Sequence, residues 1–128
     1  MRRRHDTLIP LTHDHHHALA QARALIVASD KDAPERARVA DSFIRFYRQD
    51  TLPHFREEEE VLFPELLQHV EDVPAQLTRV LIEHVRMHGM VAQLQEALTT
   101  GAPDGGLLKA LGETLRGHVR LEENDLSP

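Results

Sequence analysis

The sequence contains three pairs of metal-binding side chains whose members are four residues apart. Four residues are slightly more than one turn of an α-helix, so both members of such a pair project from the same face. The pairs are His54 with Glu58, His84 with His88, and His118 with Glu122. A cluster of histidines over residues 13–17 precedes them. The fold of this chain must therefore accommodate imidazoles and carboxylates on several helices.

Apolar residues recur at helical spacing in four segments of the 128-residue chain, which predicts four amphipathic helices. The helices are expected at about residues 11–29, 34–69, 74–99 and 105–125. Residues 1–7 are expected to form a flexible tail. Short loops join the segments, and no repeat or second domain is visible. These features predict a single all-α domain over residues 1–128, folded as an antiparallel up-down-up-down four-helix bundle.

Pro53 lies inside the second predicted helix, one residue before His54. A proline has no N–H to donate to the carbonyl of Gln49, which predicts a kink just before His54. Two separate helices that break near residues 50–52 are an alternative. The apolar stripe keeps its phase across the proline, and this favours one kinked helix.

The composition narrows the classes of function. A formal net charge of −6 argues against a dominant role in binding nucleic acid or an anionic membrane. The chain has no cysteine, which excludes disulfides, thiolate metal sites and iron–sulfur clusters. No apolar segment reaches the roughly 18 residues of a membrane span, and no secretory signal follows the N-terminal arginines. We therefore expect a cytoplasmic protein, whose oligomeric state the sequence leaves open.

Seven candidate metal ligands lie within the apolar stripes of the four helices. A buried carboxylate without a partner costs several kcal/mol or takes up a proton, and a multivalent cation compensates it. Seven ligands without a thiolate are too many for one tetrahedral zinc ion. They fit two five- or six-coordinate ions bridged by two carboxylates, with positions left for an oxo or hydroxo bridge and an exogenous ligand. The candidates are His15, His54, Glu58, His84, His88, His118 and Glu122.

The first helix offers several histidines, and helical phase separates them. His15 lies in the middle of the apolar stripe, whereas His16 projects about 100° away. His13 and His17 point to the opposite side, which favours solvation. We take His15 as the inward residue and keep His16 as the alternative.

The ordered set of motifs resembles the hemerythrin family, in its bacterial hemerythrin-like (HHE cation-binding) branch. The resemblance spans nearly the whole chain in the order that the family has. Each motif alone is weak, but the ordered set is specific. The matching segments are residues 14–19 (DHHHAL), 54–64 (HFREEEEVLFP), 83–88 (EHVRMH) and 118–123 (HVRLEE).

The resemblance implies a four-helix bundle that holds two iron ions in a non-haem di-iron site with an oxo or hydroxo bridge. Zinc or manganese are possible substitutes. Glu58 and Glu122 would bridge the ions, and the five histidines among the candidates would be terminal ligands. His88 completes the ligand set of the oxygen-binding members. Glu122 stands where oxygen-carrying members commonly have Asp, so reversible oxygen carriage is less secure than metal binding.

Three functions remain possible, and we favour a binding protein over an enzyme. In the first, O₂ or NO binds at an open iron position for oxygen binding, sensing or storage. The alternative is a di-iron redox enzyme (peroxidase- or NO-reductase-like) or an iron-handling, stress-response protein. The third is a helical bundle that takes up zinc or other metal adventitiously. For the first function, the residues expected around the bound ligand are Tyr47, Leu62, Leu81, Leu111 and Leu115.

Overall fold

The computed structural model describes the backbone of residues 3–123 and the side chains of residues 15–123. Within these residues the chain is all-helical and has no strand, which confirms the predicted class. We number four helices along the chain. They are α1 (Arg3–Ala28), α2 (residues 33–67), α3 (Ala75–Thr100) and α4 (Gly105–Leu121).

Local side-chain contacts define where the helices begin and end. The N–H of Glu35 donates to the Asp32 side chain at 3.1 Å, and this contact caps the start of α2. Asp104 accepts in the same way from the N–H of Gly106 at 2.9 Å, so it caps α4. Gly101 ends α3 with a φ of 148°, a backbone angle that favours glycine. These caps set the short loops that bring neighbouring helices side by side.

The first helix begins earlier than the sequence indicated. It starts at Arg3, whereas a flexible tail was predicted over residues 1–7 and a helix from about residue 11. Pro10 lies within this helix. A proline removes one helical hydrogen bond, but its φ of about −65° is itself helical, so it does not have to end a helix. Residues 1–2 and the predicted end of α4 near residue 125 lie outside the described part.

Helix α2 is continuous but contains two wider turns. Three α-helical segments, Ala33–Phe46, Leu52–Glu57 and Phe63–Leu67, alternate with π-helical segments Tyr47–Thr51 and Glu58–Leu62. The N–H of Leu52 donates to the carbonyl of Tyr47, five residues back.

A proline lies two residues after the end of each of these wider turns, Pro53 after Thr51 and Pro64 after Leu62. The prediction of one helix across Pro53 is thus confirmed, and a π-helical turn lies just before the proline, where the kink was predicted. A wider turn accommodates the proline ring, which would otherwise clash with a carbonyl of the preceding turn.

The four helices pack in a ring in which α1 and α3 each contact α2 and α4. Helices α1 and α4 lie close together at Gly112, where a Cβ would lie 2.7 Å from the carbonyl oxygen of Ala22. None of the helices among the described residues is long and apolar enough to cross a lipid bilayer.

A layer of polar residues divides the apolar core into two parts. The larger part contains Phe55 and Met87, and the smaller one contains Phe63 and Val80. Glu58 lies between the two phenylalanines along α2, and it is fully buried. On α3, a buried histidine at position 84 likewise separates Val80 from Met87. Glu58 and His84 thus lie at one level inside the bundle rather than on its surface.

Candidate metal centre

Six of the seven sequence-predicted ligands lie together in this polar layer. Among the described residues, two groups have ligand atoms within 4.8 Å of one another. Both groups contain Glu122, so they are neighbours that share one carboxylate. The first group is Glu58, His84, His118 and Glu122, and the second is His15, His54 and Glu122.

Each carboxylate of the layer faces one histidine with each of its oxygens. Oε1 of Glu58 lies 3.1 Å from Nε2 of His84, and its Oε2 lies 3.5 Å from Nε2 of His54. Glu122 repeats this pattern, with Oε1 at 3.0 Å from Nε2 of His15 and Oε2 at 3.4 Å from Nε2 of His118. Each carboxylate therefore connects the two groups, and each group has two imidazoles.

The residues of the layer fit bound cations. Both carboxylate oxygens of Glu58 and the Nε2 atoms of His84 and His118 are buried without a hydrogen-bond partner among the described residues. A buried polar atom in that state costs about 1–3 kcal/mol. These atoms are also donor types that bind divalent transition metals, and no thiolate is present. Cations between the carboxylates and the imidazoles would satisfy all of them.

Proton positions in the layer reflect the lack of another compensating charge. Burial and, next, the neighbouring Glu122 carboxylate raise the pKa of Glu58 to about 8. Burial would also raise the pKa of Glu122, but contacts with Glu58, His118 and His15 outweigh it and hold that pKa well below its usual range. Burial disfavours the charged form of His118, yet Glu122 and Glu83 raise its pKa to about 10. Protons thus occupy positions that a metal ion would take over.

Three of the four histidines in the layer form a contact with a second carboxylate through Nδ1. Such a contact fixes the ring orientation and the tautomer, and leaves Nε2 for a metal. The pairs are His84 with Glu59 at 2.7 Å, His118 with Glu83 at 3.0 Å, and His15 with Glu123 at 3.3 Å.

These outer carboxylates are the residues that sequence reasoning largely missed. Helical phase turns Glu59 away from the site, which favours solvation with an orienting contact to a histidine as the alternative, and it singles out neither Glu83 nor Glu123. Each of the three directly neighbours a member of the layer in the sequence. That adjacency is a usable signal, because a residue next to an inward one projects about 100° away from it and can reach a histidine on a neighbouring helix.

His88 differs from the other predicted ligands. It is absent from both groups, and it is exposed on α3. Its Nδ1 contacts the hydroxyl of Tyr47, which is buried. The structure therefore does not bring His88 to the other six residues, because its ring faces Tyr47 instead. The same contact directs the hydroxyl of Tyr47, which the sequence predicted to lie around the bound ligand, to His88.

Helical phase correctly separates the histidines of α1. His15 is buried and belongs to the second group, whereas His16 and His17 are exposed. The side chain of His13 lies outside the described residues.

A small cavity adjoins the second group. It contacts all three members of that group, together with His118 and apolar side chains that include Phe46 and Leu115. The volume open to the centre of a water-sized molecule is about 20 Å³. Roughly 10–15 Å³, measured in the same way, suffices for one water. The cavity therefore has room for one very small molecule beside His15 and His54.

The predicted apolar lining is only partly found. Leu115 lines the cavity, and Leu111 is buried in the larger core but does not line it. Leu62 is half-buried against the smaller core. Leu81 is 36% exposed and does not line the cavity. Phe55 takes an inward position instead, and its ring stacks on that of His84 at 3.7 Å between centroids.

Comparison with protein families gives a match over nearly the whole chain. The family described as the hemerythrin HHE cation binding domain matches residues 7–128. Searches of curated proteins and of solved structures found no match. The matched range contains all members of both residue groups.

Proposed function

This chain belongs to the hemerythrin HHE cation-binding family, and on that premise we propose that it binds two metal ions in the polar layer. One ion would have His84 and His118 as terminal ligands, and the other would have His15 and His54. Glu58 and Glu122 would bridge the ions. The proposal thus has six protein ligands rather than seven, since His88 contacts Tyr47.

The pattern of contacts of the two carboxylates supports this proposal most directly. Glu58 faces His84 with one oxygen and His54 with the other, at 3.1 and 3.5 Å. A carboxylate that served a single ion would direct both oxygens to the same group. Glu122 repeats the pattern from another helix, so two independent bridges connect the same pair of sites.

The set of donor atoms favours iron as the native metal. Two imidazoles and two bridging carboxylates would leave coordination positions open at each ion, and imidazole and carboxylate without thiolate are the donors of non-haem iron sites with open positions. Bound iron would supply an open, redox-active coordination position for O₂ or NO. Zinc and manganese accept the same donors and are the substitutes we would test.

The cavity supports binding of a small diatomic molecule at that position. It adjoins His15, His54 and Glu122, and its other walls include Phe55, Leu115 and Val119. These apolar side chains would exclude bulk water from a bound molecule. The limited volume would also exclude larger substrates, which favours binding, sensing or storage of O₂ or NO over turnover of an organic substrate.

We further propose the up-down-up-down antiparallel arrangement for the four helices. The connections between helices are short, and each helix contacts those that precede and follow it in the chain. Short loops permit only antiparallel neighbours.

Metal analysis and absorption spectroscopy on protein purified without a histidine tag test the proposal. We expect two equivalents of iron per chain after anaerobic loading with Fe(II), and a reversible spectral change on exposure to air. His54→Ala removes a ligand and should lower the stoichiometry, whereas His16→Gln alters an exposed neighbour of the site and should not. Less than one equivalent of iron would contradict the metal centre.

Further measurements on the same iron-loaded protein distinguish the alternative functions. Irreversible oxidation in air without a spectral intermediate would exclude the carrier function. Steady turnover of hydrogen peroxide above the His54→Ala control would instead favour a redox enzyme. Zinc bound in preference to iron, with no response to O₂, would favour a structural metal site.

A further inference from the structure

Tyr47 is the only residue of its kind in the chain, which contains no tryptophan and no cysteine. It is therefore the single aromatic side chain that gives up an electron readily. Its side chain is 4% exposed and begins the first π-helical segment of α2. Wider turns of this type occur frequently at functional sites. Tyr47 is therefore the aromatic residue of this chain best suited to one-electron chemistry.

The hydroxyl of Tyr47 has a base as its direct partner. It contacts Nδ1 of His88, and it donates the hydrogen bond when the imidazole has its own proton on Nε2. His88 is exposed, so it can exchange a proton with solvent. Burial, and next the charge of Glu59, raise the pKa of Tyr47, so the phenol keeps its proton at neutral pH.

Aromatic contacts connect Tyr47 to the metal centre. The ring of Tyr47 meets the edge of Phe55 at 6.4 Å between centroids. Phe55 in turn lies flat on His84, with 3.7 Å between centroids and an angle of 13° between the planes. Tyr47 and Phe55 are buried, and His84 is 1% exposed. The three rings form a short, buried path from a phenol to a residue of the first ligand group.

We propose that Tyr47 and His88 form a redox-active pair that delivers one electron through Phe55 and His84 to the metal centre. The inference rests on the proposed two-metal function. In this step the O–H bond of Tyr47 breaks, the phenol loses one electron and one proton, and a neutral phenoxyl radical remains. The proton moves to Nδ1 of His88, which becomes an imidazolium. The electron reduces, by one equivalent, the oxidised centre that forms when bound metal reacts with hydrogen peroxide.

The first test examines the pair independently of iron. Zinc-loaded protein is exposed to a photogenerated one-electron oxidant in solution, and the product is followed by electron paramagnetic resonance. We expect a neutral tyrosyl radical, which Tyr47→Phe abolishes. His88→Gln retains a hydrogen-bond acceptor but removes the base, and should slow radical formation at least about tenfold, equivalent to about 1.4 kcal/mol in the barrier. His69→Gln, at an exposed histidine elsewhere, is the matched control. Equal rates in the His88 and His69 variants would overturn the pair.

The second test examines the connection to the centre. Iron-loaded protein is mixed with hydrogen peroxide and frozen rapidly. We expect the same radical in the unaltered chain and a several-fold lower yield in Phe55→Leu and Phe55→Met. Circular dichroism verifies that both variants are folded. A radical in the first test but none in the second would overturn electron delivery to the centre. If the chain binds no iron at all, the proposed function fails and so does the delivery, whereas the first test still decides the pair.

Discussion

Nε2 of His84 lies 3.1 Å from Oε1 of Glu58, although neither atom has a hydrogen-bond partner among the described residues. The two residues come from different helices, and both side chains are buried. An imidazole nitrogen and a carboxylate oxygen that approach so closely without a hydrogen bond both direct lone pairs into the same space. A cation in that space explains the arrangement better than a direct ion pair does.

Glu58 and Glu122 should respond differently to conversion to an amide in the metal-free protein. Glu58→Gln replaces a carboxyl that already holds a proton at neutral pH, so the free energy of unfolding should change by less than about 1 kcal/mol. Glu122→Gln removes the ionised partner of His118 and His15, and should cost about 3 kcal/mol. Urea denaturation in the presence of a chelator measures both. Equal losses would contradict the assignment of charge within the layer.

The stability of the metal-free protein should fall as the pH rises. The pKa of Glu58 is about 8 in the folded state, above its usual 4.5, so its contribution is fully present below about pH 4.5 and is lost as the pH rises through 8. His118 acts in the same direction, with a pKa raised from 6.5 to about 10. We therefore expect the melting temperature to decrease between about pH 7 and pH 9.

Glu58→Gln is the control for this pH dependence. The amide does not titrate, so the part of the decrease below about pH 8 should disappear in this variant, whereas the part due to His118 should remain above it. If the variant and the unaltered chain lose stability in parallel over that range, a group other than Glu58 is responsible.

The carboxylate of Glu59 should increase metal affinity through His84. Its Oε2 lies 2.7 Å from Nδ1 of His84, and loss of such an outer partner typically lowers metal affinity about 10–100-fold. Glu59→Gln should therefore weaken binding by that factor. Competition with a chromophoric chelator measures it.

Glu60→Gln is the matched control, because this substitution removes the same charge one residue further along the helix. Its side chain is 64% exposed and lies 3.7 Å from Arg56. A similar loss of affinity in both variants would point to net charge rather than to the contact with His84.

Gly112 should be intolerant of any side chain. An added Cβ would lie 2.7 Å from the carbonyl oxygen of Ala22 and 2.7 Å from Cγ1 of Ile26. Gly112→Ala should separate α1 from α4, cost about 1–3 kcal/mol of folding stability and weaken metal binding, since these helices supply His15 and Glu122.

Gly117 offers the comparison on the same helix. Nothing lies within 4 Å of the Cβ that alanine would add there. Gly117→Ala should increase stability by roughly 0.5–1 kcal/mol, because alanine loses less backbone entropy on folding. Thermal denaturation of the two variants measures the contrast, and a loss of stability at both positions would show that helix geometry rather than interhelical contact decides the result.

Helical spacing was informative for most of the centre but not for all of it. His54 and Glu58 share a face, as their spacing predicts, and so do His118 and Glu122. His84 and His88 have the same spacing, yet only His84 belongs to the layer. Four residues also correspond to about 6 Å along the helix axis. Which member of a pair reaches the layer therefore depends on what lies opposite at that height, and opposite His88 it is Tyr47.

The two π-helical turns of α2 changed the inward residues that follow them. An extra residue in a turn rotates the following helix by about 100°. Val61, an apolar residue within the second wider turn, is 53% exposed, whereas Phe55 after the first turn and Phe63 after the second are buried. The two prolines signalled an irregularity. Whether it became a break, a kink or a wider turn depended on packing of the flanking segments in the bundle.

The sequence by itself determined the helical class, the family and five of the six residues of the layer without ambiguity. For the sixth residue it favoured His15 over His16. Each of these conclusions rests on periodicity along one helix or on ordered motifs, and both are local properties of a chain. Only the tertiary structure decided that each carboxylate faces both groups, that three outer carboxylates contact the histidines, and that His88 pairs with Tyr47. Contacts between different helices depend on their relative height and rotation, and these are set by packing at positions such as Gly112 rather than by the pattern within any one helix.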